Sequence, residues 1–327
     1  MSVPLSARLT ALLALALVLA TLIGETSLSA GDLLTAVTDP AGPAGEILWT
    51  IRAPRAVMAA LVGAALGLAG AALQGLLRNP LADPGVLGVS ASAGLGAGVA
   101  IALGLAAVPG AVEAAALAGA LLSGALVVAL AARFREPETL ILLGVSVSAF
   151  AGALSSLVYN LSPSPVTTAE VLAWMLGSVA NRDWPDVLVA ALPMAPGAAL
   201  VAWSARGLTM LTLGEETAAL SGLPMARLRA AAVGGAALLA GAAVSAAGVI
   251  GFVGLAAPHL VRRAAGDDPG RVLAPSALAG AVLLVLADLA ARAIATEQEL
   301  KLGVVTALFG APLFTLVAWR AARSWRS

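Results

Sequence analysis

The chain has 327 residues, 60% of them hydrophobic and 11% charged, with a mean hydropathy of +0.99. Soluble domains carry about 25% charged residues, so this composition excludes an ordinary soluble enzyme. It predicts an all-α, polytopic membrane protein forming one transmembrane domain over residues 1–327. The net charge of zero gives no reason to expect nucleic acid, and the absence of cysteine excludes disulfides and thiolate chemistry.

A membrane span needs about 20 apolar residues. In chain order the sequence predicts spans at Leu9–Gly24, Ala56–Leu77, Gly85–Val108, Ala114–Ala132, Leu140–Leu161, Val187–Ala205, Ala230–Gly248, Val249–Ala265, Val272–Ala295 and Gly303–Trp319. These ten spans place both termini on one side. Arg8 followed by Leu9–Ile23, with small residues at Ser27–Ala30, also has the pattern of a cleavable signal peptide. The run of further spans favours a retained first span, so residues 1–30 are read as that span and its flank.

The pair of spans between Ala230 and Ala265 follows from length. From Ala230 through Val261 the only titratable side chain is His259. As one straight helix this run would be about 48 Å long at about 1.5 Å per residue, against a hydrocarbon core of about 30 Å. Arginines flank both ends: Arg227 and Arg229 before, Arg262 and Arg263 after. The chain should therefore enter and return, turning near Gly248–Gly254, with a second leg interrupted by Pro258. Such a break needs neighbouring protein or water to satisfy its backbone.

Charge then orients the bundle. On the N-terminal side fall thirteen of the 18 Lys and Arg residues, among them Arg8, Arg78, Arg133, Arg135 and Arg326. The other side carries Arg52, Arg55, Arg182, Arg292 and Lys301. Positive residues favour the cytoplasmic side, so both termini are predicted to be cytoplasmic. The five opposite cations either balance Glu46, Glu297 and Glu299 or form a docking surface for an acidic partner. Asp288 stands one helical turn from Arg292, which predicts a structural ion pair. His259 beside Pro258 reads as a packing or hydrogen-bonding residue more readily than as a proton carrier.

The most polar cytoplasmic stretch is residues 206–229, with Arg206, Arg227 and Arg229 around Leu213–Leu223. Leu213, Thr217, Leu220 and Leu223 recur at helical spacing, predicting a short amphipathic helix with one apolar stripe. Glu215 and Glu216 fall in its first turn, where carboxylates suit the helix dipole. A turn is expected at Gly222 and Pro224. The stretch is either offered to a partner or is an ordinary interfacial loop.

Small residues recur in the spans. Gly63-Ala-Ala-Leu-Gly67 and Gly94-Leu-Gly-Ala-Gly98 have the small-xxx-small spacing of closely packed helices. Arg78-Asn-Pro-Leu-Ala-Asp-Pro-Gly85 predicts a sharp cytoplasmic turn, and its Asp83-Pro-Gly85 recurs as Asp268-Pro-Gly270. One histidine and no cysteine leave no metal-ligand cluster. The single lysine, Lys301, lies in Leu300-Lys301-Leu302, so the Gly-Lys-Ser/Thr of a phosphate-binding loop is absent. No Gly-x-Ser-x-Gly is present, which disfavours an intramembrane serine hydrolase. Any ATP hydrolysis must come from another chain.

Four motifs together are similar to one known family. Arg52-Ala-Pro-Arg55, Gly75-Leu-Leu-Arg-Asn-Pro-Leu-Ala-Asp-Pro-Gly-Val-Leu-Gly-Val-Ser90, Gly251-Phe-Val-Gly-Leu-Ala-Ala-Pro-His-Leu-Val-Arg262 and Gly303-Val-Val-Thr-Ala-Leu-Phe-Gly-Ala-Pro312 occur in family order between Ile47 and Trp319. The chain resembles the FecCD/BtuC-type permeases, membrane subunits of ATP-binding-cassette importers for iron-siderophores, haem and vitamin B12. The resemblance implies a family core over residues 47–319 and ten spans in the bacterial inner membrane. It implies a second permease subunit, identical or paralogous, two nucleotide-binding ATPase subunits that hold ATP and magnesium, and an extracytoplasmic substrate-binding protein. It makes Gly214, Glu215, Glu216, Ala219, Leu220, Gly222 and Leu223 the coupling helix on the ATPase. Arg52, Arg55 and Arg292 then pair with carboxylates of the binding protein. Asn79, Pro80, Asp83, Pro84, Gly85, Pro258 and His259 are motif positions with structural roles. No catalytic residue, metal or cofactor is expected on this chain, and no residue of the substrate path is singled out. The expected cargo is a ferric siderophore, ahead of haem and cobalamin. The rival in another class is an ion-coupled secondary transporter using Asp288 and His259.

Overall fold

The computed structural model describes residues 4–24, 26–131, 137–162, 164–294 and 300–324. Arg133, Arg135, Glu297, Glu299 and Arg326 lie outside them. The described residues contain helices and no strand. In order these are α1 (Leu5–Leu22), α2 (Ala30–Thr38), α3 (Pro43–Gly45), a π-helical stretch (Glu46–Arg52) running into α4 (Ala53–Leu77), α5 (Val89–Ala102), α6 (Ala111–Ala131), α7 (Pro137–Asn160), α8 (Pro165–Met175), α9 (Trp184–Met210), α10 (Glu215–Leu220), α11 (Met225–Ala247), α12 (Val253–Ala265), α13 (Pro269–Ala293) and α14 (Leu302–Ser324).

Ten of these fall on the ten expected spans: α1, α4 to α7, α9 and α11 to α14. Seven are long and apolar enough to cross a membrane: α1, α3 continuing into α4, α6, α7, α9, α11 and α13. The break between α11 and α12 stands where length required it. Gly248 (φ 70°) ends α11, and Phe252 (φ 67°) starts α12.

The centre of the bundle is α4, α11 and α13. A stripe of small residues on α4 lets backbones touch: a Cβ on Gly63 would overlap the Gly280 carbonyl of α13, and one on Gly70 the Gly254 carbonyl of α12. The Gly63–Gly67 motif therefore marks a true close approach. The Gly94–Gly98 motif does not. Beside Gly94 the nearest side-chain atom is Met175 Cε, at 3.5 Å from an added Cβ. It is Gly96, between them, that meets a backbone, the Ala115 carbonyl of α6. Spacing alone could not tell which face of α5 turns toward α6.

Neither α2 nor α8 is among the expected elements. Ser29 caps α2 in a reciprocal capping box with Asp32, and Ser164 caps α8 ahead of Pro165. Both signals stand in the sequence, but each helix is too short to read as a span.

Candidate functional site

Four features of the bundle bear on function. The first is the loop joining α9 to α11. A 3-10 turn at Leu211–Leu213 precedes Gly214 (φ 96°), and α10 ends before Gly222 (φ 86°). These two left-handed positions suit glycine and confine the helix to six residues, Glu215–Leu220. The predicted four-residue apolar stripe is thereby corrected. Leu213 lies before one glycine and Leu223 after the other, so they do not share a helical face with Thr217 and Leu220. Ala218 is buried and Leu223 packs against the core, whereas Leu213 is 67% and Leu220 90% exposed. Arg229 Nη2 donates to Glu215 Oε2 at 2.7 Å, tying α10 to the start of α11. Glu216, Ala219, Gly222, Arg206 and Arg227 are exposed. The loop is thus anchored by Ala218, Leu223 and Glu215, and it presents Leu220 with Glu216 and Ala219 outward.

The second feature is the turn between α4 and α5. Arg78 ends α4 in the left-handed region. Asn79 Oδ1 accepts from the Leu81 N–H, and Asp83 Oδ1 from the Gly85 N–H, with Pro84 at the first position of the next turn. Asp268 does the same before Pro269 and Gly270, accepting from the Gly270 N–H at 2.9 Å. The repeated Asp-Pro-Gly is therefore a repeated local cap. The two carboxyls differ in environment. Burial pushes Asp83 above the usual carboxylate range, opposed by its bond from Gly85. Thr209, whose hydroxyl donates to Asp268 Oδ1 at 2.6 Å, holds Asp268 below it.

This turn joins α12 through Gln74, a residue that sequence reasoning missed. Pro258 cannot donate to the Gly254 carbonyl one turn earlier. Gln74 Nε2 donates to that carbonyl and to Ala82 O, each at 3.4 Å, while Gln74 Oε1 accepts from Arg262 at 2.5 Å. The break in α12 is thus satisfied by α4, as a discontinuous membrane helix requires. Pro258 is buried here, and His259 is exposed beside Leu260. A lone polar residue inside an apolar span was the available signal for Gln74.

The third feature is at the opposite end of α4. Asp288, fully buried on α13, lies 2.9 Å from Arg55 Nη2 and 3.0 Å from Arg292 Nε. The expected Asp288–Arg292 pair is present, with Arg55 as a second partner. Arg292 also donates to Ala20 O and Ile23 O. Arg52 donates to Thr21 O, Leu22 O and Thr26 O. Both guanidinium groups thus cap the C-terminal carbonyls of α1, where positive charge suits the helix dipole. These arginines were expected as a surface for a partner. Their side chains instead point inward, with 14% exposure at Arg55 and 6% at Arg292, and Arg52 is buried. The reason is local: α1 ends beside them with carbonyls that have no helical partner. Arg182, the fourth cation of this side, is held by Glu113 at 3.2 Å and Asp186 at 3.9 Å.

The fourth feature is a junction of three chain turns. Ser178 N donates to Ala247 O, Leu302 N to Gly177 O and Gly303 N to Leu176 O. The end of α8, the end of α11 and the start of α14 are thus knitted backbone to backbone. Beside the junction lies an open cavity of about 610 Å³ lined by Met175, Leu176, Val249, Phe252, Val304 and Leu308 among others. A second, of about 270 Å³ and almost wholly apolar, lies between α12, α13 and α14. Phe252 lines both, its ring set against Gly310.

An all-helical, multi-pass bundle with an anchored polar loop on one side and a buried charge cluster near the other has the architecture of a membrane permease. The chain belongs to the FecCD transport family, whose model matches residues 12–320. It is 42% identical to an uncharacterized ABC transporter permease protein, YvrB, of Bacillus subtilis over 86% of this chain and 81% of that protein. It is 38% identical to the vitamin B12 import system permease protein BtuC of Shigella flexneri, over 96% of this chain and 94% of that one. A solved chain assigned to a metal-chelate type ABC transporter in an inward-facing conformation superposes with a TM-score of 0.86. It is 30% identical and covers 96% of this chain and 98% of its own. The protein is therefore a multi-pass permease of an ABC importer.

Proposed function

We propose that this permease pairs with a second permease subunit and two ATPase subunits in the bacterial inner membrane, with both termini cytoplasmic. A substrate-binding protein delivers a metal-centred chelate from outside. The observation that carries this reading is Leu220, 90% exposed at the tip of an otherwise anchored loop. An apolar side chain held out by a fixed scaffold is what a docking contact requires. ATP closure of the partner subunits would move this loop, and the bundle would exchange access between its two sides. The permease itself needs only contacts that differ between the two states. We assign Arg52, Arg55 and Arg292 to binding-protein docking, with the salt sensitivity of a screened interaction.

Leu220→Glu and Glu216→Arg test the coupling role. In each, the ATPase subunits should no longer co-purify with the permease in mild detergent, while insertion and thermal stability are kept. Full retention of the ATPase in both variants would overturn it. For the cargo, a ferric siderophore was expected from sequence. Cobalamin gains weight from the vitamin B12 import permease BtuC of Shigella flexneri, which aligns over nearly the whole chain. Uptake of radiolabelled iron-siderophore and cobalt-labelled cobalamin by vesicles carrying the complex separates the two.

A further inference from the structure

α2 lies between the end of α1 and the π-helical stretch, and its side chains divide into three arcs. Around a helix of 3.6 residues per turn, Ala36 and Leu33 fall together on one side. Val37 and Leu34 come next, and Thr38, Thr35 and Asp32 complete the circle. Ala36 is fully buried and Leu33 half-buried against the protein. Val37 is 63% and Leu34 68% exposed, although both are apolar. The third arc is polar and exposed. One helix thus meets three environments: protein, something apolar, and water.

Two tryptophans fix where this helix sits. Trp49 Nε1 donates to the Ala36 carbonyl at 2.9 Å, and Trp184 Nε1 donates to the Trp49 carbonyl at 2.9 Å. Both rings remain substantially exposed, as does Ile51 next to them. Tryptophans with a bonded N–H and an open apolar ring concentrate at membrane–water interfaces. The neighbouring end of α1 also exposes Val18, Leu22 and Ile23, which, on a membrane span packed on one side only, face lipid. The apolar arc of α2 thus stands beside a tryptophan pair of interfacial type, in a chain whose first span is apolar and mostly unburied.

We propose that α2 is an interfacial helix lying on the leaflet opposite the N-terminus, with Leu34 and Val37 seated among the lipid chains. Its occupant is the bilayer, since an amphipathic helix with water on one arc and apolar side chains on the next matches the headgroup–acyl boundary. Through Trp49, α2 is bonded to the stretch that ends in Arg52, so the depth of the bilayer on α2 fixes the height of the arginine cluster. The inference rests on the chain spanning a membrane and is independent of cargo or ATPase.

The chain has no cysteine, so single cysteines for spin labels can be introduced without other changes. Leu34→Cys, Val37→Cys and Thr35→Cys are all at exposed positions, where the label does not disturb the core. The full chain, with its partner subunits, is placed in phosphatidylethanolamine–phosphatidylglycerol nanodiscs. Relaxation of each label by oxygen, which concentrates in lipid, is compared with relaxation by a water-soluble nickel chelate. Labels at 34 and 37 should shift toward oxygen and the label at 35 toward nickel. Equal access of nickel to all three would overturn the proposal. So would exclusion of both reagents from 34 and 37, the result expected if a protein partner covers this arc.

Discussion

At the scale of single residues, charge and hydrogen bonding decide most of what can be tested. Asp288 is fully buried between Arg55 and Arg292, and removing one partner of a buried ion pair costs about 3–5 kcal/mol. Asp288→Asn should therefore lower the melting temperature of the purified permease by several degrees or more. A variant as stable as the parent would show that the cluster does not hold α1 in place. Asp268 and Asp83 cap equivalent turns but should respond to pH in opposite ways. The depressed Asp268 contributes stability above its unfolded pKa of about 3.9, and loses it as pH falls through its lower folded value. Asp268→Ala should cost about 1 kcal/mol at neutral pH, typical of a lost N-cap, with the gap closing in acid. Asp83, raised by burial, carries a penalty when ionised. That penalty is absent below the unfolded pKa and complete above the folded one. Asp83→Asn keeps an oxygen for the Gly85 N–H, so it should leave stability at neutral pH unchanged or higher. Thermal unfolding of the two variants from about pH 2 to pH 8, the span that brackets the loss below the unfolded carboxylate pKa, would check both signs.

At the scale of elements, small residues set distances between helices. Gly96 faces the Ala115 carbonyl, while Gly94 has ordinary space around it. Gly96→Ala should force α5 from α6 and cost about 1–3 kcal/mol, the range for overpacking. Gly94→Ala should be nearly neutral. Equal melting temperatures for the two would mean that α5 is rotated from the arrangement described. The sequence marked both glycines at helical spacing but not the one between them as the contact. The same limit applies to the loop joining α9 to α11: Gly214, Glu216 and Leu220 stand out in the sequence, yet the division between anchoring and presented residues depends on where α11 places Arg229. Gln74 was likewise invisible in its role, because its partners Gly254 and Arg262 are 180 and 188 residues away.

At the scale of the whole molecule, the bundle leaves an apolar face unpaired. α14 packs on α12 and α13 of its own chain and exposes Leu308 and Phe309, at 65% and 68%. If the second permease lies there, Leu308→Cys in a complex of two identical subunits should cross-link between them with a short bifunctional maleimide, and Val189→Cys, exposed on α9, should not. The reverse pattern would move the partner to another face. Phe252 lines both cavities beside this face, so Phe252→Ala should enlarge them and alter transport more than ATPase docking, read as uptake against co-purification.

The sequence by itself determined the class, the approximate positions of the apolar helices, the re-entrant turn before α12, and the family. These follow from hydropathy against bilayer thickness, from charge asymmetry and from contiguous motifs, all of which are local in the chain or additive over it. Only the tertiary structure decided that the arginines of the α4 end turn inward to cap α1, that Gly96 and not Gly94 meets α6, and that a glutamine closes the break made by Pro258. Those outcomes depend on which helix ends and carbonyls are brought side by side. That is a property of packing between residues far apart in sequence, and no spacing within one segment encodes it.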